Sequence, residues 1–424
     1  MENKIFNGAT DDRVVSLPGL NTPGNKVVGT QFAGYIPVTG TANPTGPDAG
    51  LFYWFVGADD YASRPTVIWT NGGPGSSSFW GFFLENGPYE IAYAKGGLGP
   101  ELTPREHAWN QYANYMIFEH PLSVTMSFAK DDQVPKTVEQ GMEQYYQALL
   151  NFLAKHPELA GNPIILAGES YAGTYLPLLA KLIAEGNAKE GGTRLNLCGT
   201  VLLDAWVDPY VQMAMDTTYA LNRGIISAKQ KEMLDKEVKL PDVAFKIQTL
   251  SGVYMANVAE TGDPSFDPVM AYLNNADFRT AVHAPALTPA TTIIQNWSQA
   301  VSDNYSKDDL VNKSYADVVK GLLEGSYTNG KFKQKIIVIS GLNDAKDCNF
   351  LGTGEWLNKL DGAAAEAFKK ADTTQWVHPE SKQVLGFEQN GGALRWLKVL
   401  NAGHLAVLDQ PQLIQYILDA VDVK

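Results

Sequence analysis

Hydrophobic positions in the first third of the chain fall in short, dense runs: Phe32 to Ile36 and on towards Val38, Leu51 to Val56, Thr66 to Thr70, and Asn114 to Phe118. Gly, Pro and Asn cluster between them, which is the turn chemistry that separates strands. Pro37 has no N–H to give to a ladder, so the first run ends there or lies at a sheet edge. The spacing changes at Thr137. Thr137-x-x-Gln140 reads as a capping box, and Val138, Met142, Tyr145, Leu149 and Phe152 follow at helical intervals. Pro163 to Ala167 is then a wholly apolar strand, a helix follows from about Tyr171 to Ala184, and Asn196 to Leu203 is a further buried strand. Apolar strands joined through helices predict a parallel sheet covered on both faces.

From Pro209 to about Phe332 the pattern breaks into short helical pieces with Pro and Asp interruptions and no strong strand. Sheet character returns at Lys335 to Ser340 and again near Leu394 to Leu400. At roughly 150 residues per domain, 424 residues would accommodate two or three domains. The pattern favours a single α/β core instead, built from residues 1–208 and 334–424 and interrupted by a helical insertion, or cap, over 209–333. Insertions of that length commonly serve as lids or pocket walls.

Composition narrows the class. Apolar residues make up 45% and charged residues 19%, enough for a large core and too apolar for a disordered chain. With 46 acidic and 33 basic residues the net charge is −13, which argues against a nucleic-acid partner. No apolar run approaches the ~18 residues that cross a bilayer, so no membrane partner is expected. No pattern specifies an oligomeric state. The start, Met1 to Asn7, lacks an apolar leader core. Cys198 and Cys348 are the only cysteines and read as small buried thiols, a sparse supply that suits a reducing compartment. The expected location is cytoplasmic, or secreted or vacuolar if a leader has been removed. The sequons at Asn296, Asn304 and Asn312 are too short a pattern to weigh.

Candidate chemistry begins where the strand at 163–167 runs into Gly168-Glu169-Ser170-Tyr171-Ala172-Gly173 and a helix. A serine at so sharp a strand-to-helix turn is a nucleophile elbow, and its crowding demands small residues two before and two after. Gly168 and Ala172 satisfy that demand. A serine hydroxyl needs a base, and the base an orienting carboxylate, which in this arrangement follow in the order acid, then His. Of six histidines (107, 120, 156, 283, 378 and 404), three follow Ser170. His283 falls inside the insertion and His378 reads as a surface or packing residue. His404, between a strand and a helix, is the candidate base. The acid belongs after the strand ending at Ser340, where Asp344 is preferred and Asp347 remains a rival. Asn71-Gly72-Gly73-Pro74-Gly75, after strand 66–70, gives backbone N–H groups an approach to an oxyanion unobstructed by Cβ atoms. It lacks the Lys-Ser/Thr ending of a phosphate loop.

These residues resemble the serine carboxypeptidases. The likeness rests on Trp69-Thr70-Asn71-Gly72-Gly73-Pro74-Gly75, Glu85-Asn86-Gly87-Pro88, Gly168 to Gly173, and Gly403-His404 with Asp409-Gln410-Pro411. Weaker matches extend over nearly the whole chain, from Val15-Ser16-Leu17-Pro18-Gly19 to Cys348-Asn349-Phe350-Leu351-Gly352. The resemblance implies an α/β-hydrolase fold and a serine-type carboxypeptidase with Ser170, Asp344 and His404 as its triad. It further implies an oxyanion hole from the N–H groups of Gly73 and Tyr171. A clamp for the substrate's terminal carboxylate would comprise Asn71, Glu85 and Glu169 with Trp69 and Gly72. Two glutamates bind an anion only by sharing protons and donating hydrogen bonds. The implied partner is a peptide or small acyl substrate, with no metal and no organic cofactor. The chain departs from the family at Ser76 (usually a cysteine), Thr174, Val407, one extra residue between Asp344 and Cys348, and Leu203-Asp204-Ala205-Trp206 in place of a Gly-Asn-Gly segment. The alternatives are an acyltransferase or esterase of the same family, and a binding protein with a dead site.

Overall fold

The computed structural model describes residues 11–38, 49–96, 99–129, 131–284, 293–346 and 348–423. The apolar runs become strands in chain order: β1 (Arg13–Ser16), β2 (Lys26–Pro37), β3 (Gly50–Val56), β4 (Thr66–Thr70), β5 (Tyr89–Tyr93), β6 (Pro100–Pro104) and β7 (Asn114–Phe118). They continue with β8 (Ile164–Ser170), β9 (Leu197–Ala205), β10 (Ile336–Gly341), β11 (Thr373–Val377), β12 (Val384–Asn390) and β13 (Leu394–Val399). Eleven form one sheet in the order β1-β2-β3-β7-β4-β8-β9-β10-β13-β12-β11, while β5 and β6 pair apart as a hairpin. The central pairings from β7 to β13 are parallel, and both margins are antiparallel. Pro37 closes β2, as its missing N–H requires.

Strand alternation sorts side chains to two cores. Ile164 and Leu166 of β8 face one, with Met142, Tyr145, Leu149 and Phe152 of helix α1 (Val138–Lys155) and Leu176, Leu179 and Ile183 of helix α2 (Ala172–Ala188). Ile165 and Ala167 face the other, with Val67, Trp69, Val201, Ile337, Leu397 and the helix Leu413–Ala420. The α1 cap is offset by one residue from a full capping box. Thr137 Oγ1 accepts the Gln140 N–H at 3.3 Å, and Gln140 Oε1 accepts the Lys136 N–H at 2.9 Å. Between β9 and β10 the described residues form helices, from Pro209–Met213 to Ala316–Glu324, and no strand. No helix among the described residues is long and apolar enough to cross a membrane.

The parallel strands β4, β8, β9, β10 and β13 run in one direction and end at one edge, where their connections are tightly packed. A Cβ on Gly168 would stand 2.2 Å from the Thr70 carbonyl oxygen, a backbone atom that has nowhere to go. Gly168→Ala is therefore expected to destabilise the fold by about 1–3 kcal/mol, the usual cost of overpacking. The check is a lower urea midpoint at unchanged m-value. A wild-type midpoint would show that β4 and β8 can separate freely.

Candidate active site

Ser170 is the last residue of β8, and α2 opens two residues later. Its φ is +58°, a left-handed backbone that a non-glycine residue adopts only under constraint. The constraint is visible on both sides of the turn. Gly173 backs onto β9, where a Cβ would meet the Trp206 nitrogen at 2.7 Å. Gly72 backs onto the turn itself, where a Cβ would stand 2.2 Å from the Tyr171 nitrogen. Gly73 has φ +113°, which favours glycine, so the loop from Asn71 to Gly75 can lie flat against the elbow. Gly73 and Tyr171, the expected oxyanion donors, thus flank Ser170 from two different strand ends.

His404 and Asp344 meet across the loops that follow β13 and β10: His404 Nδ1 lies 2.8 Å from Asp344 Oδ2. Asp344 is fully buried, and its Oδ1 accepts the Lys346 N–H at 3.0 Å. His404 and Ser170 line one cavity of about 500 Å³, together with Asn71, Gly72, Gly73 and Glu169. The rival acid Asp347 lies outside the described residues. His378 accepts the N–H groups of Glu380 and Ser381 in an outer turn. His283 Nδ1 lies 3.2 Å from the Ala33 carbonyl oxygen, against β2.

Asn71 is fixed by its oxygen, which accepts from Trp69 Nε1–H at 2.8 Å and from the Gly81 N–H at 3.1 Å. Its amide nitrogen is thereby turned towards Glu169 Oε1 at 2.7 Å and Glu85 Oε1 at 3.4 Å. Burial pushes the Glu85 carboxyl up to about 7. Burial, and after it the neighbouring Glu85 charge, holds Glu169 well above the usual carboxylate range. The pair therefore keeps a proton near neutral pH. Asn71, Gly72 and Glu169 line the cavity, and Trp69 and Glu85 connect to it through their hydrogen bonds with Asn71. Among the described residues no group of three or more His, Cys, Asp or Glu side chains is disposed to hold a metal ion.

Sequence reasoning missed the supports. Glu119, just after β7, accepts from Ser77 Oγ at 2.7 Å and the Ser78 N–H at 2.8 Å, anchoring the glycine loop; burial pushes its carboxyl up to about 7. The insertion contributes Met255, Ala256 and Val258, which bond Ala345, His404 and Asn343 through backbone at 2.9, 2.7 and 3.0 Å. Trp297 pairs with Ser76 in an isolated antiparallel bridge and packs on Gly73. Only the acid directly after an apolar strand left a trace in the sequence.

Known proteins bear on this geometry. A family model described as serine carboxypeptidase matches residues 18–260 and 251–421. Serine carboxypeptidase 3 of Hordeum vulgare is 28% identical over 417 residues, covering 95% of this chain and 79% of that protein. A pheromone-processing carboxypeptidase of Phytophthora infestans is 27% identical over 451 residues, covering 97% and 71%. Among solved structures, a prohormone-processing carboxypeptidase from Saccharomyces cerevisiae superposes with a TM-score of 0.77 at 19% identity, covering 96% of this chain and 94% of that one. These relatives are secretory or vacuolar proteins, which overturns the cytoplasmic location expected from the sequence. That expectation drew on the first seven residues, and where a sequence begins carries no information about compartment. Few cysteines are no better a guide, since a large buried core dispenses with disulfides in any compartment.

Raised carboxyl pKa values fix a sign for stability. The folded protein holds a proton on the Glu85–Glu169 pair that the unfolded chain releases in the ordinary carboxylate range. The stabilisation is complete below that range and is lost as pH rises through about 7. Glu85→Gln removes one such group. Its melting temperature should gain on the wild type progressively from acid to neutral pH in parallel thermal scans. A difference that stays constant with pH would place the proton elsewhere.

Proposed function

Because this chain belongs to the serine carboxypeptidase family, a family of peptide hydrolases, we propose that it removes C-terminal residues from peptides through a Ser170-His404-Asp344 triad and an acyl-enzyme. The observation that carries the reading is the Asp344–His404 hydrogen bond, whose His404 lines the same cavity as the strained Ser170 turn. In this mechanism His404 Nε2 takes the Ser170 proton as Oγ attacks the last peptide carbonyl. Buried Asp344 holds the imidazole in the productive tautomer and stabilises its charged form. The carbonyl oxygen, now negative, is received by the N–H groups of Gly73 and Tyr171. His404 then returns its proton to the departing amine, and a water activated by the same His404 releases the acyl group.

The end of the substrate is read by Asn71, Glu85 and Glu169, with Trp69 orienting Asn71 and Gly72 offering backbone. A carboxyl that retains its proton donates to the substrate's terminal carboxylate, as the raised pKa values of the pair allow. Residues 209–333 serve as the cap: Phe245, Tyr254, Met255, Asp263 and Trp297 line the cavity from that side.

A fluorophosphonate should label Ser170 alone, and Ser170→Ala should abolish both labelling and turnover. Asp344→Asn should lower kcat on the order of 10⁴-fold, by analogy with other triads. Labelling that persists in Ser170→Ala, or moves to the Ser76–Ser78 run, would falsify the nucleophile assignment.

Cleavage of a free-acid peptide should weaken through KM as pH rises through about 7, because two ionised glutamates repel the substrate carboxylate. The C-terminally amidated peptide should be far less affected. Coincident pH profiles for the matched pair, or an unchanged KM in Glu85→Gln and Glu169→Gln, would turn the assignment towards an esterase or acyltransferase.

A further inference from the structure

Beneath the site lies an acid that the mechanism above leaves unused. Asp204 sits near the end of β9, the strand between the one that delivers Ser170 and the one that delivers Asp344. The β8–β9 ladder pairs Glu169 with Leu203 and Ser170 with Ala205, so Asp204 is the extra residue of a bulge. Its φ of +37° turns it out of the ladder. On the other side the β9–β10 ladder ends at Leu203 opposite Ile339. There the Asp204 side chain takes over from backbone pairing: Oδ1 accepts the Gly341 N–H at 2.8 Å. Gly341 is the last residue of β10, and its carbonyl accepts the Asp344 N–H at 3.2 Å in the turn that carries the acid.

The surroundings of Asp204 decide its charge. It is wholly shielded from solvent, and its Oδ2 has no hydrogen-bond partner among the described residues. The titratable groups acting on it or sensing it are Glu169 from β8, Asp344 after β10, Asp409 after the base loop and the Tyr219 phenol from the insertion. All four are acids. A buried carboxylate facing other carboxylates loses its proton only at great expense. Burial and then the Asp344 charge accordingly hold its carboxyl well above the usual range.

We propose that Asp204 is a positioning residue for the triad acid, a neutral carboxyl that anchors the Gly341 N–H and so fixes the turn from which Asp344 reaches His404. The proposal rests on the triad reading of Asp344 and goes beyond it. A neutral anchor holds the turn without adding a second negative charge beside Asp344. This chain carries the acid where the family resemblance leads one to expect a Gly-Asn-Gly segment. An amide at the same position would supply the same acceptor oxygen and the same absence of charge.

The test follows the phosphonylation rate of Ser170 against pH in the full chain, for wild type, Asp204→Asn and Asp204→Ala. The acid limb of that profile reports His404 losing its proton in the free enzyme. Asp204→Asn keeps the acceptor and the neutrality, so its acid limb should superimpose on that of the wild type. Asp204→Ala frees the Gly341 N–H and loosens Asp344; the rate should fall on the order of 10²-fold. Its acid limb should also move to lower pH, because a poorly held Asp344 stabilises the imidazolium less. A shift of the Asp204→Asn limb to lower pH would show that a negative charge had been removed, and an Asp204→Ala profile equal to wild type would show that nothing was being positioned. Either overturns the proposal. If Asp204→Ala does not fold, thermal scans of Asp204→Asn still decide. Its stability should gain on wild type as pH rises from the carboxylate range to neutrality, and a gap independent of pH overturns the neutral assignment. Full-rate labelling of Asp344→Asn would instead sink the triad reading, an outcome read on a different variant.

Discussion

The edge at which the central parallel strands end is held together by backbone approaching backbone more closely than any side chain permits. A Cβ would stand 2.2 Å from backbone at Gly72 and Gly168, and 2.1 Å at Gly341, where the obstacle is the Gly403 carbonyl oxygen. These four glycines belong to the loop after β4, the end of β8, the end of β10 and the loop after β13. Their close contact is what makes residues far apart in sequence neighbours in space. It also accounts for the strained Ser170 backbone, which is clamped on both sides.

Electrostatics at this edge runs against intuition for a chain of net charge −13. Glu85, Glu119, Glu169, Asp204 and Asp344 are all buried within a few residues of a strand end or the glycine loop. Of these, Asp344 is the one hydrogen-bonded to an imidazole among the described residues. The others are accommodated because burial favours the protonated form, which turns a carboxyl from a charge into a hydrogen-bond donor as well as an acceptor. Asn71 is the hinge of this arrangement, its two oxygen contacts satisfied from Trp69 and Gly81 so that its nitrogen must face the acids.

The sequence made the central strands legible because β4, β7, β8 and β10 are buried on both faces and their apolar runs are nearly unbroken. The elbow was legible for a steric reason, since small residues two before and two after the serine have no other common cause. Strands β1, β5, β6, β11 and β12 were not. Thr373 to Val377 is almost wholly exposed, so β11 exists through its pairing with β12 and leaves no alternation to read. The β5–β6 hairpin buries little beyond Tyr89 and Leu102. Asp204 was noticed only as a departure from a familiar pattern. Its significance comes from a one-residue bulge, a property of pairing between strands that no local window contains. The insertion's backbone bonds to the acid and base loops were invisible for the same reason.

Those bonds tie the Asp344–His404 pair to the insertion. Met255, Ala256 and Val258 of the insertion each hold one residue of the acid loop or the base loop, and a Cβ on Gly403 would collide with Ala256 and Asn257. The alignment of Asp344 with His404 therefore depends on a segment remote from both in sequence, and damage to that segment would reach the pair without touching the sheet beneath it.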